Sequence, residues 1–272
     1  MLDEVLVAVK GGGDLGSGVA YRLHRAGMKV FITEIARPTV IRRTVAFASA
    51  VYEGQVEIEG VVARLAKGIS EVPGLLEEGD IPVLVDPEGV AVRALKPRVM
   101  VDAIMAKRNT GTRLDDAPIV IALGPGFVAG RDVHAVVETQ RGHYLGRVIL
   151  EGSAQPNTGV PGSVSGYDSE RVVRAPKAGT FRGARRIGEK VNAGEVVAYV
   201  DEAPVRAKIS GVLRGILADG LPVHEGMKVG DVDPRGVAEH CFTISDKALA
   251  IGGGVLEAIL YLLRQQETLP QV

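Results

Sequence analysis

The chain has 272 residues, 46% of them hydrophobic and 24% charged, with 4% aromatic, no Trp and a net charge of −1. That is enough apolar material for two domains with aliphatic cores, while near-neutrality gives no electrostatic reason to expect nucleic acid or an anionic membrane as partner. One cysteine, Cys241, excludes an intrachain disulfide and a cysteine-cluster metal site, and the five histidines show no metal-ligand spacing. No apolar run approaches the roughly 20 residues that span a bilayer, so a cytoplasmic protein without a bound metal is expected.

Taken in chain order, residues 1–154 read as alternating strands and helices. Short aliphatic runs at 5–11, 29–35, 81–86, 99–105, 119–124 and 134–139 predict strands covered on both faces. Segments around 15–27, 38–50 and 87–96 supply crossover helices, with Pro38 and Pro97 blurring their ends. Residues 53–66 alternate apolar and polar side chains, which predicts an antiparallel hairpin joined to the sheet. Residues 155–170, rich in Gly, Pro, Ser and Asn, are the linker.

An internal repeat follows within residues 171–240. Aligned without gaps, 174–201 and 206–233 are identical at 11 of 28 positions, enough to fix the register through Gly179/Gly211, Arg182/Arg214, Gly183/Gly215, Gly194/Gly226 and Asp201/Asp233. Valine-bearing runs with glycines at turn spacing predict paired hairpins in each half. Neither half buries its apolar face alone, so the two together predict a small β-sandwich. Residues 241–272 form a helical segment, with apolar residues at helical spacing over 245–267 and Ser245 or Asp246 as its cap. Gly252, Gly253 and Gly254 lie mid-helix, where each costs about 1 kcal/mol against Ala. They require either close backbone packing or a helix restart whose free N–H groups meet an anion.

Gly11, Gly13 and Gly16 satisfy G-x-G-x-x-G directly after the first predicted strand, and Glu34 ends the second, 18 residues beyond Gly16. The first glycine turns the chain, the second admits a pyrophosphate, the third lets helix meet strand, and the acid accepts from a ribose hydroxyl. Gly11, Gly12, Gly13, Asp14, Gly16 and Glu34 are therefore candidates for cofactor binding. Asp14 must turn away from the phosphates, for example to cap the helix, and Arg37, Arg42 and Arg43 offer partners for a 2′-phosphate. An empty or repurposed crevice is the alternative.

Lys107, Gly124, Gly126, Arg131 and Arg141 follow the later strands and mark a pocket for a phosphate or carboxylate, or else solvated basic loops. Cys241, beside His240, is the one thiol available for nucleophilic or sulfur chemistry, or else a buried small hydrophobe. His134, His143 and Asp102 are candidates for proton transfer if the chain is an oxidoreductase.

Segments 36–54, 124–162, 230–236 and 241–263, the last reading CFTISDKALAIGGGVLEAILYLL, resemble the YqeB-type family of selenium-dependent molybdenum hydroxylase system proteins, nearly end to end. The glycine turn is similar to the dinucleotide-type domain of xanthine dehydrogenase accessory proteins, and the repeat to the biotinyl/lipoyl barrel-sandwich hybrid. The implied fold is α/β: a Rossmann-like doubly wound sheet over 1–154, a linker over 155–170, a barrel-sandwich domain over 171–240 and a helix over 241–272 that packs back on the first domain.

The implied function is that of an accessory protein, rather than a stand-alone enzyme, in maturation of a selenium-dependent molybdenum hydroxylase. Its partners would be that hydroxylase or its maturation proteins, and its ligand a small nucleotide, NAD(P) or a molybdenum cofactor nucleotide; no catalytic set comes with the resemblance. The hairpin tip Asp201-Glu202-Ala203-Pro204 lacks the acceptor lysine of carrier modules, and Lys208 lies in the following strand, so covalent biotin or lipoate is not expected. An NAD(P)-dependent oxidoreductase and a noncatalytic interaction scaffold are the alternative functions, and a homo-oligomer stays open.

Overall fold

The computed structural model describes residues 2–159, 162 and 164–268. Residues 160, 161 and 163 of the expected linker and 269–272 of the expected helical segment lie outside the described residues. The chain opens with β1 (Leu6–Lys10), α1 (Asp14–Arg25) and β2 (Lys29–Glu34), then α2 (Ala50–Glu53), β3 (Gln55–Ile58) and β4 (Val61–Leu65). It continues through α3 (Val72–Glu77), β5 (Ile81–Val85), α4 (Val90–Leu95), β6 (Val99–Asp102), β7 (Ile119–Leu123), β8 (Ala135–Val137) and β9 (Val148–Ile149). These strands make one nine-stranded sheet in the order β3-β4-β5-β2-β1-β6-β7-β8-β9. The seven inner strands are parallel, and β3 and β9 close the two edges antiparallel.

This sheet corrects the expected Rossmann-like doubly wound fold. It is mixed rather than all parallel, and the connections from β6 to β7 and from β7 to β8 contain no helix. The sheet face that such crossovers would cover is instead covered by α5 (Asp246–Thr268), which comes from the far end of the chain and packs on α1, β7, β8 and β9. Ile251, Val255, Ala258 and Ile259 of α5 share a core with Val7 and Val9 of β1, Val101 of β6 and Ile121 of β7. The opposite face carries a second core, in which Phe31, Met100, Val120 and Val136 meet Val72 of α3 and Val92 of α4.

The helix expected over 38–50 is also corrected: two 3-10 turns, Arg43–Val45 and Phe47–Ser49, lead into the four-residue α2. Six consecutive residues, Val45 to Ala50, are buried, a pattern that no single helix face presents.

The remaining strands are β10 (Val172–Arg174), β11 (Gly179–Gly183), β12 (Lys190–Val191), β13 (Val196–Val200), β14 (Ala203–Arg206), β15 (Gly211–Ile216), β16 (Pro222–Val223) and β17 (Lys228–Asp233). They form two four-stranded antiparallel sheets, β10-β17-β15-β12 and β14-β13-β11-β16, around Phe181, Val197, Leu213, Val229 and Val232. The repeat halves exchange strands: β12 of the first pairs with β15 of the second, and β16 of the second with β11 of the first. Each half therefore lacks a complete sheet without the other.

The expected biotinyl/lipoyl-like barrel-sandwich domain is corrected as well, since two separate four-stranded antiparallel sheets stand in its place. The turn between β13 and β14, where such a module displays its arm, is tied down: the Asp201 carboxylate accepts the Thr180 N–H at 3.0 Å and stands 3.1 Å from Lys177 Nζ.

The sandwich docks on the sheet through residues 41–44. Ile216 N–H donates to the Ile41 carbonyl at 2.8 Å, Arg43 Nε donates to the Ile216 carbonyl at 2.9 Å, and Thr44 Oγ1 donates to the Cys241 carbonyl. No described helix is long and apolar enough to cross a membrane.

Candidate functional site

Strand order reverses between β1 and β6, the place where an open parallel sheet leaves a crevice at its strand C-termini. A cavity of about 450 Å³ lies there, lined by Gly11, Gly13, Glu34, Thr39, Ile104 and Met105 among others. Gly11 turns the chain with φ +93°, a conformation that favours glycine, and a Cβ there would lie 3.1 Å from the Ala103 carbonyl oxygen. Gly16 allows α1 to press on the turn, since a Cβ would meet the Gly11 carbonyl oxygen. Gly13 is the N-cap of α1 with no side-chain cap, and open space lies where its Cβ would be. Gly12 donates its N–H to Glu34 Oε1 at 2.7 Å, and Ile35 N–H donates to Oε2 at 2.9 Å. Burial pushes the Glu34 carboxyl up from its ordinary value, against these two N–H bonds. Glu34 lines the cavity, and each of its oxygens has acceptor capacity beyond the one N–H bond it accepts.

Asp14 does not cap α1. It turns to Arg42, whose Nη1 donates to both carboxylate oxygens, at 2.8 and 3.0 Å. Arg42 Nη2 donates to the carbonyls of His240 and Thr243, so this arginine is 95% buried as a structural tie. Arg43 is bound to Ile216, and of the three arginines raised for a 2′-phosphate only Arg37 is exposed.

A second cavity of about 760 Å³ adjoins the first; Asp14, Leu15, Val40 and Met105 line both. The sheet supplies Lys107, Gln140 and Arg141 to it, the sandwich supplies Arg171, Arg214, Lys228 and Asp231, and Ser245 and Lys247 come from the start of the α5 segment. Gly126, with φ +114°, lets the Lys107 loop come close: a Cβ would stand 2.6 Å from Arg108 N. Gly124 packs likewise against Thr139. The buried Glu138 accepts the N–H groups of Thr139, Gln140 and Gln155, which pins two loops of the wall.

Arg141 is paired bidentately with Asp246 at 2.9 and 3.0 Å, an interaction that holds Asp246 well below the usual carboxylate range. Arg171 donates to Asp231 at 2.7 Å, with Arg214 3.9 Å from the other oxygen. No described carboxylate stands within ion-pair distance of Lys107, Lys228 or Lys247. Burial lowers the pKa of the half-buried Lys247, and Arg141 adds to that shift; Lys228 is exposed as a residue, and desolvation at the cavity wall lowers its pKa with Asp231 partly opposing.

The structure thus brings the glycine turn, Asp14, Glu34, Lys107 and Arg141 to adjoining cavities and leaves out Arg131, Gly124 and Gly126. Arg131 is exposed and paired with Asp132 in the loop that leads into β8. Nearby His134 accepts the Val120 N–H through Nδ1, and burial lowers its pKa, so it stays neutral and engaged. His143 is exposed against Tyr144, and the buried Asp102 is occupied by Thr112 and the Ile104 N–H. Among the described residues no group of three or more His, Cys, Asp or Glu is placed to hold a metal ion.

Cys241 is wholly buried, with Sγ 3.8 Å from the Leu213 carbonyl, and burial raises its thiol pKa. That is the environment of a small hydrophobe, one of the two readings the sequence left open. Alkylation by iodoacetamide is expected to leave the native protein unmodified and to add one adduct after unfolding, as read by intact mass. Sequence reasoning missed Arg171, Arg214, Lys228 and Lys247.

No family model matches the chain. It is 54% identical over 260 residues to a protein of Escherichia coli (strain K12) described as uncharacterized protein YqeB, across 96% of this chain and 48% of that protein. The chain therefore spans about half the length of the curated relative it matches. Among solved structures it is similar to TcdA (CsdL), with TM-score 0.32 and 14% identity over 97% of this chain and 90% of that one. An aspartoacylase family protein from Mesorhizobium loti follows, with TM-score 0.26 and 11% identity over 84% of each chain. A succinylglutamate desuccinylase/aspartoacylase from Rhodobacter sphaeroides has TM-score 0.26 and 16% identity over 84% of each. Likeness at these scores fixes neither the fold nor the chemistry of this chain.

The names themselves correct the expected association with selenium-dependent molybdenum hydroxylases. The relative, 54% identical, is described as uncharacterized, with no such role stated. The accessory role falls away with that association.

Proposed function

We propose that the chain binds a phosphate-bearing small molecule of nucleotide type in the crevice between β1 and β6. The observation that carries this reading is the open space at Gly13, at the start of the twelve-residue α1, with Glu34 held across the same cavity. A helix N-terminus presents free N–H groups and favours negative charge. Of the three carboxylates that line the cavity, Asp14 is paired with Arg42, Glu34 accepts the Gly12 and Ile35 N–H groups, and Asp86 accepts those of Val90 and Ala91. Glu34 supplies acceptor sites for sugar hydroxyls, and Ile35, Pro38, Val40, Ile104 and Met105 supply an apolar slot. NAD(P) and a molybdenum cofactor nucleotide both fit this description, and the proposal extends to either as ligand without assigning a reaction. It keeps the cytoplasmic location expected from the sequence.

Thermal unfolding against NAD, NADP, ATP, GTP and CTP tests the reading. A bound ligand at 100 times its Kd adds about 2.7 kcal/mol of stability. Gly13→Val is expected to fold normally, since nothing lies within 4 Å of the new Cβ and φ is −67°, but to lose that ligand-induced gain. Absence of any shift in the unmodified protein, or an equal shift in the variant, overturns the reading.

A further inference from the structure

We infer that the second cavity, of about 760 Å³ between the Lys107 loop and the Arg214 face of the sandwich, is a binding subsite for a compact polyanion, at least two linked phosphoryl groups, held by Lys107, Lys228, Lys247, Arg171 and Arg214. The inference deepens the crevice reading and rests on it for the claim that one extended ligand occupies both cavities.

The charge balance of the walls is the first support. The acids that line this cavity, Asp14 and Asp231, are already engaged, by Arg42 and by Arg171 with Arg214. Arg141 has its own partner in Asp246. Lys107, Lys228 and Lys247 then face one volume that opens to solvent, the first two exposed and the third half-buried, with no carboxylate in ion-pair range, so the three like charges repel one another until an anion enters between them. Arg171 and Arg214 share Asp231, and Arg214 Nε also stands 3.9 Å from Asp233, which Arg235 already binds, so three arginines meet two carboxylates and the buried Nε atoms of Arg171 and Arg214 make no hydrogen bond. Arg214 is 92% buried, and burial together with Arg42 lowers its pKa.

The second support is the repeat, which departs from its own symmetry on this wall. Arg182 of the first half lies over the Tyr199 ring, 4.9 Å from its centroid. At the equivalent positions of the second half Arg214 faces Asp231, and Lys228 replaces Val196. Core positions keep their apolar character in both halves, while cationic and acidic groups gather on the side that meets the sheet. The number of uncompensated cations exceeds what one carboxylate or one phosphomonoester neutralises. A diphosphate carries about the required charge within a volume that fits about 760 Å³.

Calorimetric titration with inorganic pyrophosphate, run alongside citrate, tests the subsite without any nucleotide. The unmodified protein is expected to bind pyrophosphate more tightly than citrate, with affinity falling steeply as salt rises. Lys228→Gln and Lys247→Gln are each expected to weaken pyrophosphate binding about tenfold or more, while the ligand-free proteins melt at the same temperature or higher. A lysine that served only the fold would show the reverse, unchanged binding and a lower melting temperature. Absence of pyrophosphate binding, equal binding by the variants, or tighter binding of citrate overturns the inference. Nucleotide binding without pyrophosphate binding sinks this subsite and leaves the crevice reading standing. Pyrophosphate binding in a protein that no nucleotide stabilises does the opposite.

Discussion

Gly18→Val is expected to destabilise the protein by about 3 kcal/mol, the upper end of the usual cost of overpacking a core. Gly18 lies on the buried face of α1, and a Cβ there would fall 2.6 Å from Ala248 Cβ and 2.8 Å from the Ala248 carbonyl oxygen of α5. The contact is reciprocal one turn along: a Cβ on Gly252 would stand 2.7 Å from the Gly18 carbonyl oxygen and 3.0 Å from Arg22 Cβ. Valine at position 18 forces the two helices apart and loosens the core that α5 shares with β1, β6 and β7.

Gly253 is the internal control. Nothing lies within 4 Å of its Cβ position, so Gly253→Ala is expected to stabilise α5 by up to about 1 kcal/mol. Urea unfolding of the two variants separates packing from helix propensity. A Gly18→Val protein as stable as the parent would mean that the two helices do not approach as described.

Arg42→Ala carries a comparable cost, about 3 kcal/mol, for a different reason. The arginine is buried, and its removal leaves the Asp14 carboxylate and the His240 and Thr243 carbonyls without their donors. Breaking a buried ion pair from one side costs about 3–5 kcal/mol, and the partial exposure of Asp14, 29% of its side chain, places this case at the low end. The double variant Arg42→Ala/Asp14→Asn is expected to recover at least about 1 kcal/mol of that loss, because no unpaired charge remains. Denaturant unfolding of the cycle measures the coupling; additive costs would show that the pair is not engaged. Since the freed carboxylate would stand at the glycine turn, Arg42→Ala is also expected to weaken anion binding in the crevice, and Asp14→Asn to preserve it.

The glycine turn was legible because its determinants are local. A strand, a turn at positive φ, a helix start and an acid at the end of the next strand lie within residues 6–34, and the structure sets Gly11, Gly13 and Glu34 around one cavity. The repeat was legible for the same reason, since glycines at fixed spacing encode turns whatever the strands later pair with. The 53–66 alternation likewise became the β3–β4 hairpin. Sequence alone left the role of Gly252–Gly254 open between packing and anion binding; the close approach of Gly252 to α1 and of Gly254 to Gly146 decides for packing.

Long-range pairing decided the rest. Nothing between residues 103 and 134 says that the missing crossover helices would be replaced by one beginning at Asp246. Arg42 and Arg43 read as ligand cations until the docked sandwich claimed them for Asp14 and for carbonyls some 170 to 200 residues away. Arg171, Arg214, Lys228 and Lys247 are unremarkable in their own segments, because an isolated surface cation and a cation in a shared cavity have the same local pattern. Backbone turns and amphipathic periodicity act over a few residues and are written directly in the sequence. Electrostatic crowding depends on which surfaces meet, and only the docking of sandwich, sheet and terminal helix brought these charges around one volume.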